Sequence, residues 1–388
     1  MRNFELYNPT RLIFGENLHD RITDLIPQNS KVLLAYGGGS IFKNGVYEKV
    51  SKALMPFEVV EFGGIEPNPR FETLMKAVHV IREKQIDFIV AVGGGSVIDG
   101  VKFISAAVKF EGDPVEILQQ RLLIKNPQQV VPFGAVVTLP ATGSEMNSGG
   151  VITIEATHEK LSFGGEALFP VFSIADPTVI QSLPKRQLQN GVVDSFVHVL
   201  EQYLTYKHDA FLQDRIAEGI LQTLIEVGPQ VIEKPEDYTL ASNFMWCCTM
   251  ALNGLLNKGV PTDWVTHMIG HELTAMYEID HARTLAIIGP NLYKVMFETK
   301  KEKLAQYGER VWGITGKSEE ETAREAIEKT IAFYHTVGIA TKISEYTAQY
   351  QQSADTIVNR FKQRNWVAMG EKQNITPVEI EKIVAMAY

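Results

Sequence analysis

Three of the nine histidines fall within WVTHMIGHELTAMYEIDH, residues 264–281: His267, His271 and His281. His267 and His271 are four apart and would share one face of a helix. His281 lies fourteen positions beyond His267. That is close to four whole turns, but an unbroken helix would separate the two by about 21 Å. They can share one ion only if the chain bends between Tyr277 and Asp280. A second pair lies in GVVDSFVHVLEQYL, residues 191–204, where Asp194 and His198 are again four apart among mostly apolar neighbours. A carboxylate turned to a buried surface needs a cation or a hydrogen-bond donor. One histidine on an apolar face is more often a packed core residue than a ligand. Together, Asp194, His198, His267 and His281 form a candidate metal site suited to Zn²⁺ or Fe²⁺, with no thiolate placed to help. Gly270, beside His271, would permit close approach of a ligand to the backbone.

Two glycine turns echo one another: AYGGGS at 35–40 and AVGGGS at 91–96. Each follows an apolar run and opens a helical pattern. Such turns let backbone amides approach an anion, and the helix N-terminus behind adds partial positive charge. Gly37, Gly38 and Gly39 precede Ser40; Gly93, Gly94 and Gly95 precede Ser96. Both serines stand where an N-cap hydroxyl is expected. Neither tetrad completes the G-x-G-x-x-G fingerprint, because Phe42 and Ile98 follow instead. A tight β–α turn without a ligand is the alternative for either one alone; two of them favour phosphate binding. The loop TLPATGSEMNSG, 138–149, packs hydroxyl, Gly and Asn residues after another apolar run. Thr138, Thr142, Gly143 and Ser144 would lie beyond the carboxyl ends of strands, where doubly wound sheets bind ligands. A polar surface loop is its alternative.

The elements that must position these residues divide the chain in two. KVLLAY (31–36), FEVVEF (57–62), DFIVAV (87–92) and GAVVTL (134–139) read as buried strands, with helical patterns at 40–54, 69–84 and 96–110 between them. That alternation implies a parallel sheet with crossover helices. VITIE (151–155), KLSFGG (160–165) and VFSIAD (171–176) are expected to form a small appended sheet. From Gln187 onward nearly everything reads helical. The expected organisation is a Rossmann-like α/β dinucleotide-binding domain over 1–183 and an all-α metal-binding and catalytic domain over 184–388. The charged run SEEETAREAIEK, 318–329, reads as a solvated helix face.

Composition excludes several classes. Net charge is -9 with no basic cluster, which disfavours nucleic acid. No apolar stretch reaches membrane-spanning length, and the N-terminus lacks a signal-peptide core. The two cysteines, Cys247 and Cys248, are adjacent and fit a reducing cytoplasmic setting as buried small residues.

The segments NPTRLIFGEN, YGGGSIFKNGVYEKV, FGGIEPNPR, AVGGGSVIDGVKFI, TLPATGSEMNSG, DSFVHVLEQYLT and THMIGHELTAMYEIDHARTLAI carry a resemblance over nearly the whole chain. It resembles the iron-containing (group III) alcohol dehydrogenase family, in the branch of butanol dehydrogenases and NADPH-dependent aldehyde reductases. The resemblance implies a dehydroquinate-synthase-like fold and a homodimer. It implies that Asp194, His198, His267 and His281 hold one divalent ion, Zn or Fe, and that His271 is the non-ligand histidine near the substrate. Gly94, Gly95, Ser96, Asp99, Thr138, Thr142 and Lys160 would line the cofactor. Relatives follow TGSE with Val and Thr or Ser, whereas Met146 and Asn147 stand here, and Asn147 is expected among the cofactor-binding residues. Members with an aspartate at the first tetrad prefer NAD. Gly37, Gly38, Gly39 and Ser40, with Lys43 nearby, therefore imply NADP(H). The implied reaction moves hydride between NADP(H) and small aldehydes or primary alcohols such as butanal and butanol. Two rivals are a metal-dependent phosphohydrolase, which leaves the glycine turns unexplained, and a dehydroquinate-synthase-type lyase that uses the cofactor transiently.

Overall fold

A computed structural model describes residues 1–388. Its strands are β1 (Arg11–Phe14), β2 (Lys31–Tyr36), β3 (Glu58–Phe62), β4 (Phe88–Gly94), β5 (Phe133–Leu139), β6 (Gly149–Ile154), β7 (Glu159–Gly164) and β8 (Phe172–Ala175). Six of them form one parallel sheet in the order β1-β8-β5-β4-β2-β3. β2, β4 and β5 are near-continuous apolar runs because both faces of the sheet are covered. Val32–Ala35, Phe88–Val92 and Ala135–Val137 are all buried. Burial of each Val, Leu, Ile or Phe among them contributes roughly 1.5–3 kcal/mol.

Helices α1 (Ile22–Leu25), α2 (Val46–Leu54), α3 (Phe71–Lys84), α4 (Gly95–Val108) and α5 (Val115–Gln119) belong to the same half of the chain. The chain leaves β2 for β3 on one side, while β4 leads to β5 on the other. The topological switch point therefore falls between β2 and β4, and the two GGGS turns lie at their carboxyl ends.

The appended sheet differs from expectation. Only β6 and β7 pair as a separate antiparallel hairpin; β8 inserts between β1 and β5 in the main sheet. All four β8 residues are buried, as a strand covered on both faces requires, whereas β6 alternates buried and half-buried positions. Gly134 makes room for this insertion: a Cβ there would lie 2.2 Å from the Phe172 ring.

The remaining helices are α6 (Lys185–Tyr203), α7 (Phe211–Glu233), α8 (Tyr238–Ala251), α9 (Val265–Tyr277), α10 (His281–Val295), α11 (Phe297–Arg310), α12 (Glu319–Thr336), α13 (Ser353–Gln363) and α14 (Pro377–Ala385). α12 starts at a capping box between Ser318 and Glu321. α14 starts at another, between Thr376 and Glu379, with Pro377 in its first turn. None of these helices is long and apolar enough to cross a membrane.

The chain forms two compact units: Tyr7–Pro184 with Pro235–Gly254, and Met1–Leu6 with Lys185–Lys234 and Leu255–Tyr388. Residues 235–254, which contain α8, belong with the sheet although they lie in the helical half of the sequence. α8 packs on the 3-10 turn Pro177–Ser182, and Thr249 Oγ1 donates to Glu145 Oε1 at 2.6 Å.

Candidate metal centre and cofactor turns

In the helical unit, α6 carries Asp194 and His198 one turn apart, both buried. α9 carries His267 and His271, and stops at Tyr277 because Glu278 adopts a left-handed conformation with φ 56°. Asp280 then precedes α10, whose first residue is His281. The bend that a shared ion requires is thus present. Asp280 Oδ2 accepts from Arg186 Nε at 2.6 Å and from Asn190 Nδ2 at 2.8 Å, which ties the bend to α6 just before Asp194. Gly270 serves this packing rather than ligand approach: a Cβ there would lie 2.8 Å from Thr284 Oγ1 on α10.

Three imidazole nitrogens surround one carboxylate oxygen. Nε2 of His198, His267 and His281 lie 3.8, 4.0 and 3.9 Å from Asp194 Oδ1. These separations are too long for hydrogen bonds. Asp194, His267 and His281 offer ligand atoms within 4.8 Å of one another. The His198 ring stacks on His267 at 4.7 Å and joins them. Asp194 Oδ1 is buried and accepts no hydrogen bond, an arrangement costly for a carboxylate unless a cation completes it. An Asp-His₃ set is the donor chemistry of Zn²⁺ or Fe²⁺, so the residues fit the ion. The His271 ring is 4.9 Å from that of His281 and 6.2 Å from that of His267.

A carboxylate absent from the residues singled out by sequence stands behind His267. Glu201 Oε1 accepts from the His267 amide at 3.2 Å, and Oε2 bonds the ring Nδ1. In the metal-free centre burial, then the nearby Asp263 carboxylate, push Glu201 well above the ordinary carboxylate range. The charge of an ion bound beside His267 acts in the opposite direction and favours the carboxylate. Its place three residues after His198, among the mostly apolar neighbours of 191–204, is the signal that could have found it. Asp263 lies beneath: Lys300 Nζ reaches Asp263 Oδ2 at 2.8 Å, Glu371 Oε1 at 2.9 Å and Leu204 O at 2.8 Å. Burial pulls the Lys300 ammonium down, but the two carboxylates outweigh it and raise it. Among the aromatic residues, Trp264 flanks the histidines, 5.5 Å from His267 ring to ring. Trp246 instead packs on Phe14, and the Tyr277 hydroxyl bonds Gln349 O and Ser353 Oγ.

In the α/β unit the two tetrads are neighbours: a Cβ on Gly37 would lie 3.4 Å from Val97. Neither serine is an N-cap. Gly39, with φ 90°, and Gly94, extended, hold those positions, and neither helix start has a side-chain cap. Glycine lets the helix begin ahead of the serine, leaving first-turn amides of α4 for an anion. Gly38 faces open space, whereas a Cβ on Gly95 would lie 2.4 Å from Thr142 Oγ1. Thr138 is buried in β5, and Thr142 Oγ1 accepts from Ser144 N at 3.2 Å.

Asp99 and Asn147 spend their polar atoms on the protein. Asp99 accepts from Ser144 Oγ at 2.6 Å and from Val151 N at 2.9 Å. Asn147 Nδ2 donates to Gly143 O and Leu252 O, and its Oδ1 accepts from Lys102 Nζ and Gly149 N. Both brace the loop. Lys160 Nζ donates to Asn68 Oδ1 at 2.9 Å. Lys102, fully buried, was not singled out by sequence either. It donates to Ser144 Oγ, Asn147 Oδ1 and Gly149 O at 2.7–2.8 Å. Burial lowers its pKa to about 8 against the pull of Asp99 and Glu145.

Comparison with known proteins identifies the family. A family model described as iron-containing alcohol dehydrogenase matches residues 9–177, and one for the C-terminal part of the Fe-containing family matches residues 189–388. The chain is 48% identical over 378 residues to the NADPH-dependent aldehyde reductase YqhD of Escherichia coli, covering 97% of each chain. It is 42% identical over 365 residues to the probable NADH-dependent butanol dehydrogenase 1 of Bacillus subtilis, covering 93% of each. A solved NADH-dependent butanol dehydrogenase A from Thermotoga maritima superposes with a TM-score of 0.94 at 33% identity, covering 100% of this chain and 99% of that one.

Proposed function

Because the chain belongs to the iron-containing alcohol dehydrogenase family, we propose that this alcohol dehydrogenase/aldehyde reductase works with NADP(H) and one divalent ion, Zn or Fe, on small aldehydes and primary alcohols such as butanal and butanol. The observation that carries the metal reading is Asp194 Oδ1, buried without a hydrogen bond and ringed by three imidazole nitrogens. When bound, the cation supplies a Lewis acid for the carbonyl oxygen and the nicotinamide supplies hydride.

The chain's own residues do the rest. Asp194, His198, His267 and His281 hold the ion. The uncapped start of α4, at Gly94, Gly95 and Ser96, offers backbone amides to the pyrophosphate. Thr138, Thr142 and Lys160 line the cofactor, and Asp99 and Asn147 fix the loop that carries Thr142. His271, half-buried beside His281, orients the substrate and relays a proton through water to the product oxygen. The absence of a carboxylate at Gly37–Ser40 and the open space at Gly38 support NADP(H) over NAD(H). The expected assembly is a cytoplasmic homodimer, which light scattering would check.

The test is NADPH oxidation with butanal, comparing protein as purified with protein stripped by chelator and refilled with Zn²⁺ or Fe²⁺. Activity should vanish on stripping and return with one ion. Turnover that persists in metal-free protein would overturn the scheme.

A further inference from the structure

We infer that Glu201 is a positioning residue of the metal centre: its carboxylate grips His267 by backbone and ring at once, so that Nε2 is the atom offered to the ion. The inference rests on the metal reading above.

Oε1 takes the His267 amide at 3.2 Å while Oε2 takes the ring Nδ1. Holding both ends of one residue fixes the rotation of the ring about its side-chain bonds. A neutral imidazole carries a single proton. In the loaded centre that proton lies on Nδ1, against the carboxylate, and the Nε2 lone pair faces Asp194 Oδ1, 4.0 Å away.

Glu201 is itself held. It sits on α6, the helix that supplies Asp194 and His198, so two ligands and the brace for a third share one rigid element. Its backbone carbonyl accepts from Asp263 N at 2.8 Å, and Asp263 Oδ1 accepts from Val265 N at 3.0 Å at the start of α9. The brace therefore spans the two helices whose spacing sets the distance from His267 to His198.

Glutamine is a near-isostere that cannot do this work. Both partners on His267 are donors in the loaded centre, and an amide has only one acceptor atom. The NH₂ of Glu201→Gln must face either the His267 amide, donor against donor, or Nδ1. In the second case it forces the ring proton onto Nε2, where it competes with the ion.

The experiment loads chelator-stripped full-length protein with Zn²⁺ alone and measures affinity by competition with a chromophoric chelator. Glu201→Gln should bind Zn²⁺ about 10–100-fold more weakly than wild type. Glu201→Asp, which can reach one partner but not both, should fall between. Proton NMR of the Zn²⁺-loaded wild type should show a far-downfield imidazole N–H that is absent from the Gln variant. Should the Gln variant fail to fold by circular dichroism, the Asp variant and the wild-type spectrum decide. Wild-type Zn²⁺ affinity in the folded Gln variant, or in Glu201→Asp if the Gln variant does not fold, or a loaded wild type without the N–H signal, overturns the inference while leaving the metal reading intact. Wild-type protein that takes up no Zn²⁺ overturns the metal reading, and this inference with it.

Discussion

Asp99 and Lys102, one turn apart on α4, meet at a single hydroxyl: Ser144 Oγ donates to Asp99 at 2.6 Å and accepts from Lys102 Nζ at 2.8 Å. The ammonium also holds Asn147 and the Gly149 carbonyl, so opposite charges clamp the 142–149 loop from one helix. Lys102→Met leaves Asp99 buried without its cation, and should cost about 3 kcal/mol in urea unfolding.

The same lysine gives that loss a pH dependence. Its pKa is lowered from 10.5 to about 8 by burial. Between those values the unfolded chain binds a proton that the folded chain does not, so the lysine's contribution to stability rises with pH across this window. The gap in unfolding free energy between wild type and Lys102→Met should therefore widen from pH 8 to pH 10. A gap that narrows or stays constant would show that burial does not depress the Lys102 pKa.

Asp194→Asn removes the central anionic ligand and places an amide among three imidazoles. Metal content by elemental analysis and aldehyde reduction should be lost together. Retained activity at zero metal would contradict the assignment of these residues.

Asp280 touches no ligand atom but fixes where α10 begins. Asp280→Ala frees Arg186 and Asn190 and loosens the bend before His281. The expected outcome is a several-fold drop in metal affinity, with about 1–2 kcal/mol lost in stability as hydrogen bonds to a charged group are broken. Unchanged affinity in a chelator competition would mean that the turn is held by other means.

Gly38 has no neighbour within 4 Å of a Cβ, so Gly38→Asp should fold normally. A carboxylate there repels a 2′-phosphate and can accept from a 2′-hydroxyl. The ratio of kcat/KM for NADPH over NADH should fall at least tenfold. An unchanged ratio would place the 2′ end of the cofactor elsewhere.

Where the pattern along the chain depended on local periodicity, it was legible. β2, β4 and β5 lie within a residue or two of their apolar runs, and the crowding of His267 and His281 already demanded the break seen at Glu278. What needed tertiary context was not. VFSIAD and VITIE look alike as segments, yet only β8 has Gly134 opposite it to admit Phe172. α8 reads like its helical neighbours, and nothing local reveals that Thr249 pairs with Glu145 beside the sheet. Gly270 suggested ligand approach but accommodates Thr284. Among the site residues, those at i, i+4 spacing stood out. Glu201 and Lys102 did not, since a charge among apolar neighbours shows its purpose only when its distant partners are known.

The Lys300 cluster makes the floor of the centre a joint between three distant segments. One ammonium joins Asp263, whose Oδ1 receives an amide from the first turn of α9, to the Glu371 carboxylate and to the Leu204 carbonyl just past α6. Two anions share one cation there, so removing Lys300 would leave both carboxylates buried and unscreened beside Glu201 and His267. The stretch around Glu371, far in sequence from every histidine of the centre, is thereby part of what fixes the start of the helix that carries His267.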